Sequence, residues 1–355
     1  MEWLPDNFKV VGRGSSGIYL LLSHLKPNGT LLAPANVCYA ALYPAIYAGW
    51  ALKLCDVDPL SGNITFDTFK EAVREQNVDS VLLPHMYGQP IQDLNRIIEY
   101  CQENGIITIE DCAAAMGSQA EYPLGKTADY SVYSTGYAKN VEVGFGGLLA
   151  SSKDSLDWVE VLEKNLPLRS ENLDQTETLF SRLYRVLRNS GDGVLDRHIY
   201  KAMMDNSQDL FLFRLNENEK SRVLEAIKDT EDITARKMRQ HKKAEELLLK
   251  LLSEENGKQI ELYPYSENAV PWRFSFYVPA ELHASFIQEC LNRGLPVSDW
   301  YPVSSIMVQD YGSYPGAAAA ESRIINFPVD ERLIDEIIPQ MNSILDKVRD
   351  DNQNE

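Results

Sequence analysis

Ile106-Ile107-Thr108-Ile109-Glu110-Asp111 and Tyr130-Ser131-Val132-Tyr133-Ser134-Thr135-Gly136-Tyr137-Ala138-Lys139-Asn140 decide the fold. Each opens as a short apolar run bounded by turn residues, which reads as a buried strand ending in a polar side chain. Outward from these runs the pattern alternates. Ile18 to Leu25 reads as a helix, Leu31-Leu32-Ala33 as a strand and Ala40 to Ala48 as a helix. Leu52 to Val57 is extended, Phe66 to Glu75 helical, Val81-Leu82-Leu83 a buried strand and Leu94 to Asn104 a helix. Strands separated by helices imply right-handed crossovers and an α/β fold, a mostly parallel central sheet flanked by helices. Ligands of such sheets bind beyond the carboxyl ends of the strands. Asp111 and Ser134 fall there, and Lys139 follows in a turn of small residues.

Alone, Asp111 reads as the cap of a following helix and Lys139 as a solvated lysine. Together, in this order, they suit an aldehyde cofactor with a ring nitrogen and a phosphate. The amine of Lys139 forms an imine, Asp111 keeps the ring nitrogen protonated, and the Ser134 hydroxyl helps hold the phosphate. Those needs are met by pyridoxal 5′-phosphate.

Beyond Ser152 the pattern changes. Residues 155–210 are polar and helical with a Gly-Asp-Gly break at 191–193, and one long charged helix spans Asn218 to Leu252. Strands are expected over Gln259–Tyr263, Val270–Val278, Leu295–Ser298 and Arg323–Phe327, with helices over Ala280–Asn292 and Glu331–Val348. The reading is a large cofactor-binding domain over 1–215 with a helical insertion at about 155–210. A smaller C-terminal α+β domain with its linking helix covers 216–349, and 350–355 is a disordered tail.

With 355 residues, 44% apolar and 24% charged, the chain has the composition of a soluble globular protein. A net charge of −18 argues against nucleic acid as a partner. Five scattered cysteines with no C-x-x-C spacing read as reduced thiols of the cytoplasm. No eighteen-residue apolar run exists, so no membrane span is expected.

Gly12-Arg13-Gly14-Ser15-Ser16-Gly17 has the form of a dinucleotide fingerprint, but no Asp or Glu occurs between Pro27 and Cys55 to hold a ribose. The same residues suit a single phosphate at a helix N-terminus, with Ser15 and Ser16 as hydroxyl donors, or a plain tight turn. Leu124-Gly125-Lys126-Thr127 ends like a phosphate loop but has Ala120 where the first glycine belongs. His85, in His85-Met86-Tyr87-Gly88-Gln89-Pro90, is either a satisfied loop histidine or a pocket residue. The other histidines form no metal cluster, and no G-x-S-x-G occurs.

These residues resemble the DegT/StrS-type sugar aminotransferases of the aspartate-aminotransferase fold (fold type I of the pyridoxal phosphate enzymes). The similarity runs through Gly14 to Ile18, Pro34 to Gly49, Asp56 to Asp58, His85 to Pro90, Ile109 to Asp111 and Ser134 to Asn140. It returns at Arg214, Gly294-Leu295, Tyr301-Pro302 and Asn326 to Pro328. By resemblance Lys139 is the imine lysine, Asp111 the partner of the pyridine nitrogen, and Gly14, Ser15, Ser16 and Ser134 contact the phosphate. The chain departs at four places. Ala114 replaces an amide and Met116 a histidine; Cys38 stands where a ring stacks on the cofactor, with Tyr39 adjacent; Leu212 replaces a partner-subunit asparagine.

The resemblance implies a transaminase that takes an amino group from glutamate to a keto sugar, nucleotide-linked, in polysaccharide or amino-sugar biosynthesis, and works as a homodimer. His85, Tyr87, Arg273 and Tyr301 are the candidate substrate contacts, with Arg236 and Trp300 beside them. The altered pocket leaves an alternative, a protein that binds pyridoxal phosphate or a sugar nucleotide without turnover. A nicotinamide dehydrogenase rests on the glycine fingerprint alone.

Overall fold

Successive residues of the apolar runs enter opposite cores, and that alternation builds the large sheet. Leu31 and Ala33 join one buried cluster while Leu32 joins the other; Leu82 faces the first, Val81 and Leu83 the second. A strand whose side chains alternate across a sheet buried on both faces must be apolar throughout. The computed structural model describes all residues except 1, 75–76, 171–172, 191–192, 311 and 354–355.

In chain order the first half runs β1 (Phe8–Val11), α1 (Gly14–Leu25), β2 (Thr30–Pro34), α2 (Tyr39–Tyr47), β3 (Ala51–Cys55), α3 (Phe66–Arg74) and β4 (Ser80–Pro84). It continues with α4 (Leu94–Asn104), β5 (Ile107–Asp111), β6 (Tyr130–Ser134) and β7 (Gly147–Ser151). The strands form a seven-stranded sheet in the order β1-β7-β6-β5-β4-β2-β3. All neighbours from β3 to β6 pair in parallel, whereas β7 is antiparallel to both β6 and β1. Neither β1 nor β7 is among the expected strands. Asp111 pairs in register with Val132, so Asp111 and Ser134 share one sheet edge.

The helical segment holds α5 (Asp157–Glu163), α6 (Leu173–Ser190), α7 (Gly193–Asn206) and α8 (Gln208–Phe211). Two residues of the expected break, 191 and 192, lie outside the described residues. Phe180, Tyr184, Leu187, Ile199 and Met203 pack into the core shared with α1 and α2. The chain after α8 then returns to the start of α1. Ser15 Oγ donates to the Phe211 carbonyl at 3.0 Å, and Ser16 Oγ to the carbonyls of Phe211 and Phe213 at 2.9 and 3.0 Å.

The expected single helix over Asn218–Leu252 is two, α9 (Glu217–Ala226) and α10 (Thr230–Leu251), separated by a 3₁₀ turn at Ile227–Asp229. The Thr230 hydroxyl donates to the Ile227 carbonyl at 2.7 Å, the local competition that disfavours threonine in helix interiors. Next come α11 (Glu254–Gly257), β8 (Glu261–Leu262), β9 (Phe274–Tyr277), α12 (Ala280–Asn292), α13 (Pro315–Glu321), β10 (Ile324–Phe327) and α14 (Met341–Gln353). β10-β9-β8 form an antiparallel three-stranded sheet. The expected strand at Leu295–Ser298 contracts to one bridge, Ser298 to Asn326. The expected closing helix from Glu331 becomes regular only at Met341. Before it, residues 333–340 wind through π and 3₁₀ turns; Pro339 there supplies no amide hydrogen. Residues 350–353, expected as a disordered tail, continue α14, with Lys347 Nζ 2.7 Å from Asp351 Oδ1 one turn on.

One core lies under α10, α12 and α14. Another cluster joins the two sheets: Met86, Tyr87 and Ala114 pack with Tyr263, Trp272, Tyr277, Tyr301 and Ile324. No helix among the described residues is long and apolar enough to cross a membrane.

Gly12 is the closest approach in the contact between α1 and residues 211–213. A Cβ there would overlap the Phe213 carbonyl oxygen. Gly12→Ala should therefore destabilise the protein by about 1–3 kcal/mol, read as a lowered urea midpoint; an unchanged midpoint contradicts this packing.

Candidate active site

The site lies where β5 and β6 end. The Asp111 carboxylate is buried (8% exposed), and one oxygen accepts the Ala113 amide at 2.9 Å. Burial raises its pKa, while the Ala113 hydrogen bond and the charges of Lys139 and His85 oppose that rise. Ser134 Oγ accepts the Gly136 amide at 3.2 Å, which leaves its own hydrogen to donate elsewhere.

Lys139 sits in the turn beyond β6, after Ala138, whose φ of 59° is left-handed. Burial lowers the Lys139 pKa; Cys38 and Asp111 oppose that, and Arg13 and Arg273 reinforce it. Structure thus brings Lys139, Asp111, Cys38, Arg13 and Arg273 around one space. The turn is held from two sides. Asn140 Nδ2 donates to the carbonyls of Ala114 and Met116, each at 3.4 Å, and Asn140 Oδ1 accepts from Lys237 Nζ at 2.8 Å. Trp272 Nε1 donates to the Ala138 carbonyl at 2.7 Å, and the Trp272 carbonyl accepts from Lys237 at 2.7 Å.

Several expected contacts are corrected. His85 is fully buried: Nδ1 accepts the Ile91 amide at 3.1 Å and Nε2 lies 2.9 Å from Glu110 Oε1, so both nitrogens are committed behind β5. Tyr87 is also buried. Its hydroxyl accepts the Tyr301 amide at 3.1 Å, and its carbonyl accepts the Trp272 amide at 2.7 Å. Both residues hold the site together: the His85 ring is committed at both nitrogens, and the Tyr87 side chain is wholly buried. Ser16 is wholly buried against residues 211–213, and the Ser15 hydrogen is given to the Phe211 carbonyl. Gly14 opens α1 at the same place.

Tyr39 does not take over the stacking place that Cys38 leaves. Its ring packs among Tyr43, Phe180, Tyr184, Phe211 and Trp300, drawn there by the aromatic face of α6. Ala114 instead packs in the cluster of Trp272 and Tyr301, with Cys38 against it. Met116 faces the core under the sheet, and Leu212 is buried in the α2–α6 core. Arg273 stands with its guanidinium 5.0 Å over the Trp272 ring. Arg236 is exposed in a surface groove with Arg239, Lys243 and Glu331.

Two residues escaped the sequence reading. Arg13 was hidden inside a glycine pattern, and Lys237 was one of several cations on α10. Only the helix face turned toward Asn140 distinguishes Lys237, and no local pattern announces that.

The chain belongs to the DegT/DnrJ/EryC1/StrS aminotransferase family, whose sequence model matches residues 9–346. Enzymes of this family use pyridoxal phosphate. Protein MosB of Rhizobium meliloti is 26% identical over 159 residues, 44% of this chain and 31% of that protein. The dTDP-4-dehydro-2,3,6-trideoxy-D-glucose 4-aminotransferase of Saccharopolyspora spinosa is 27% identical over 155 residues, 43% of this chain and 40% of that one. The match thus spans well under half the length of these relatives. The aminotransferase from Psychrobacter cryohalolentis shares the fold, with a TM-score of 0.72 at 16% identity over 99% of this chain and 90% of that one.

Burial pulls the Lys237 pKa down to about 7 from 10.5. Between those values the unfolded chain holds the proton and the folded one does not, so this group makes stability climb with rising pH. Lys237→Met should remove that component. Urea midpoints at pH 7 and about pH 9 should then differ less than in the unaltered protein, and an equal rise in both contradicts the shift.

Proposed function

We propose that this chain is a pyridoxal 5′-phosphate aminotransferase that moves an amino group from glutamate to a keto sugar carried on a nucleotide, in amino-sugar or polysaccharide biosynthesis. The observation that carries the reading is the meeting of Lys139 and Asp111 in one buried space, each a principal charge acting on the other. The residues fit the cofactor. Gly136 leaves a cradle that a Cβ would narrow, 3.3 Å from Ser134 Oγ. The cations Arg13 and Arg273 both bear on Lys139 there, as suits an anionic guest.

When bound, pyridoxal phosphate supplies an aldehyde for amines and a ring that takes up electrons from the substrate carbon. Asp111, fixed by the Ala113 amide, holds a proton at the ring nitrogen. Lys139 Nζ, its pKa lowered by burial, is more readily free of its proton than a solvated lysine. It therefore serves both as the bonding amine and as the base that carries a proton at the substrate carbon. Ser134 donates its hydroxyl hydrogen to the phosphate. Arg273 meets an anionic group of the substrate, with Tyr301 at the wall.

We assign the cofactor-binding domain to residues 1–215 and the smaller one to 216–349. The dTDP-sugar named for the Saccharopolyspora relative supports a nucleotide-linked acceptor. A homodimer is supported by apolar residues exposed near the site and on the helical segment, Tyr137 (75%), Leu168 (51%) and Val186 (49%). Five free cysteines fit a reducing cytoplasm.

Cys38 and Ala114 at the ring favour a second reading, binding without turnover, and one measurement separates the two. With L-glutamate, the absorption of the lysine-bound cofactor should convert to that of the pyridoxamine form. Lys139→Ala should lack the lysine-bound absorption and form the pyridoxamine form about 10²–10⁴-fold more slowly. No conversion with any amino donor selects the second reading.

A further inference from the structure

Among the described residues Arg13 is a cation without a counter-ion. It caps α1 in extended conformation (φ −156°, ψ 173°), and Nη1 donates to the Leu210 carbonyl at 2.6 Å. Glu177 is the acid that bears on it most, yet no carboxylate pairs with it among the described residues. Its other end points toward the cradle: a Cβ built on Gly136 would stand 3.8 Å from Arg13 Nη2 and 3.3 Å from Ser134 Oγ. Cys38 and Lys139 lie close enough to exchange charge effects with it.

A guanidinium has five donors in a planar fork. Among the described residues Arg13 is bonded to the Leu210 carbonyl alone, so the fork retains donors for an anion. A largely desolvated cation beside a second one is costly unless an anion completes the group, and a phosphate dianion matches the fork bidentately. The hydroxyls of Ser15 and Ser16, two and three residues on, have already given their hydrogens to the carbonyls of 211 and 213. Amides in the first turn of α1 find no partner four residues back within the helix. The guanidinium and the Ser134 hydroxyl flank Gly136, and the first turn of α1 opens against Ser134, a Cβ built on Gly14 standing 3.7 Å from Ser134 Cβ.

We propose that Arg13 clamps the phosphate of the cofactor, with Ser134 and the first amides of α1, in the role that Ser15 and Ser16 have surrendered to residues 211–213. This rests on the cofactor reading above and adds the residue that selects the phosphorylated form. Arg13 bridges two segments, since the Leu210 carbonyl it holds belongs to the stretch packed over α1. Phosphate binding therefore also ties α8 to the end of β6.

The test is equilibrium titration of the apoprotein with pyridoxal phosphate and, separately, with pyridoxal. It is followed by absorption for the unaltered chain, Arg13→Gln and Arg13→Lys, with circular dichroism to check folding. Arg13→Gln should weaken pyridoxal phosphate by about 10- to 100-fold and leave pyridoxal unchanged. An Arg13→Gln protein with the unaltered ratio of the two affinities overturns the clamp while the cofactor reading stands. An unaltered chain that binds neither compound overturns both. Should Arg13→Gln fail to fold, Arg13→Lys, which keeps the charge and loses the fork, decides. A drop of about tenfold for pyridoxal phosphate alone supports the clamp, and an unaltered ratio refutes it.

Discussion

Asn140 is the joint on which the site depends. Its amide nitrogen reaches the carbonyls of Ala114 and Met116, in the turn that follows Asp111, and its oxygen takes the Lys237 ammonium of α10. One side chain therefore fixes the loop bearing Lys139 against the strand end bearing Asp111. It also links both to the helix that leads toward the second sheet. Trp272 repeats the link from that side, donating to the Ala138 carbonyl through its ring and to the Tyr87 carbonyl through its backbone amide. A site assembled from strand ends on loops requires such cross-bracing, because a misplacement of about 1 Å costs catalysis heavily. Three tyrosines extend the bracing: Tyr277 donates to the Leu60 carbonyl at 2.6 Å, Tyr265 to that of Tyr87 at 3.2 Å, and Tyr263 to that of Ser61.

Around this frame the charge balance is uneven. The chain carries a net −18, yet Arg13 and Arg273 both act on Lys139, with Asp111 the carboxylate that bears on it. Burial alone would push each cation toward neutrality. An acidic protein that keeps a cationic pocket can draw an anion there while repelling polyanions elsewhere. The surrounding wall is aromatic. Ala114 packs with Trp272 and Tyr301 in that wall, and Cys38 lies against it.

The long apolar runs were legible in the sequence. β2, β4, β5 and β6 and the helices α1 to α4 lie within a few residues of the expected places, since burial on both faces leaves an unmistakable run of Leu, Ile and Val. Elements held by non-local partners were not legible. β1 is four residues long and exists through its pairing with β7. The break between α9 and α10 turns on one threonine hydroxyl, and the bridge at Ser298 depends on Asn326.

The sequence by itself determined the parallel sheet and the order Asp111, Ser134, Lys139 along it, because hydrophobic period and strand ends are local properties. Tertiary structure alone decided which neighbours serve the site. His85 and Tyr87 turned inward because their polar atoms met Glu110, Ile91 and Tyr301. Ser15 and Ser16 were claimed by carbonyls almost two hundred positions away. Arg13 and Lys237 faced the pocket because α8 and α10 packed where they did. A hydroxyl or a cation carries no mark of its partner in one dimension; the partner is chosen when distant backbone atoms are brought within 3 Å.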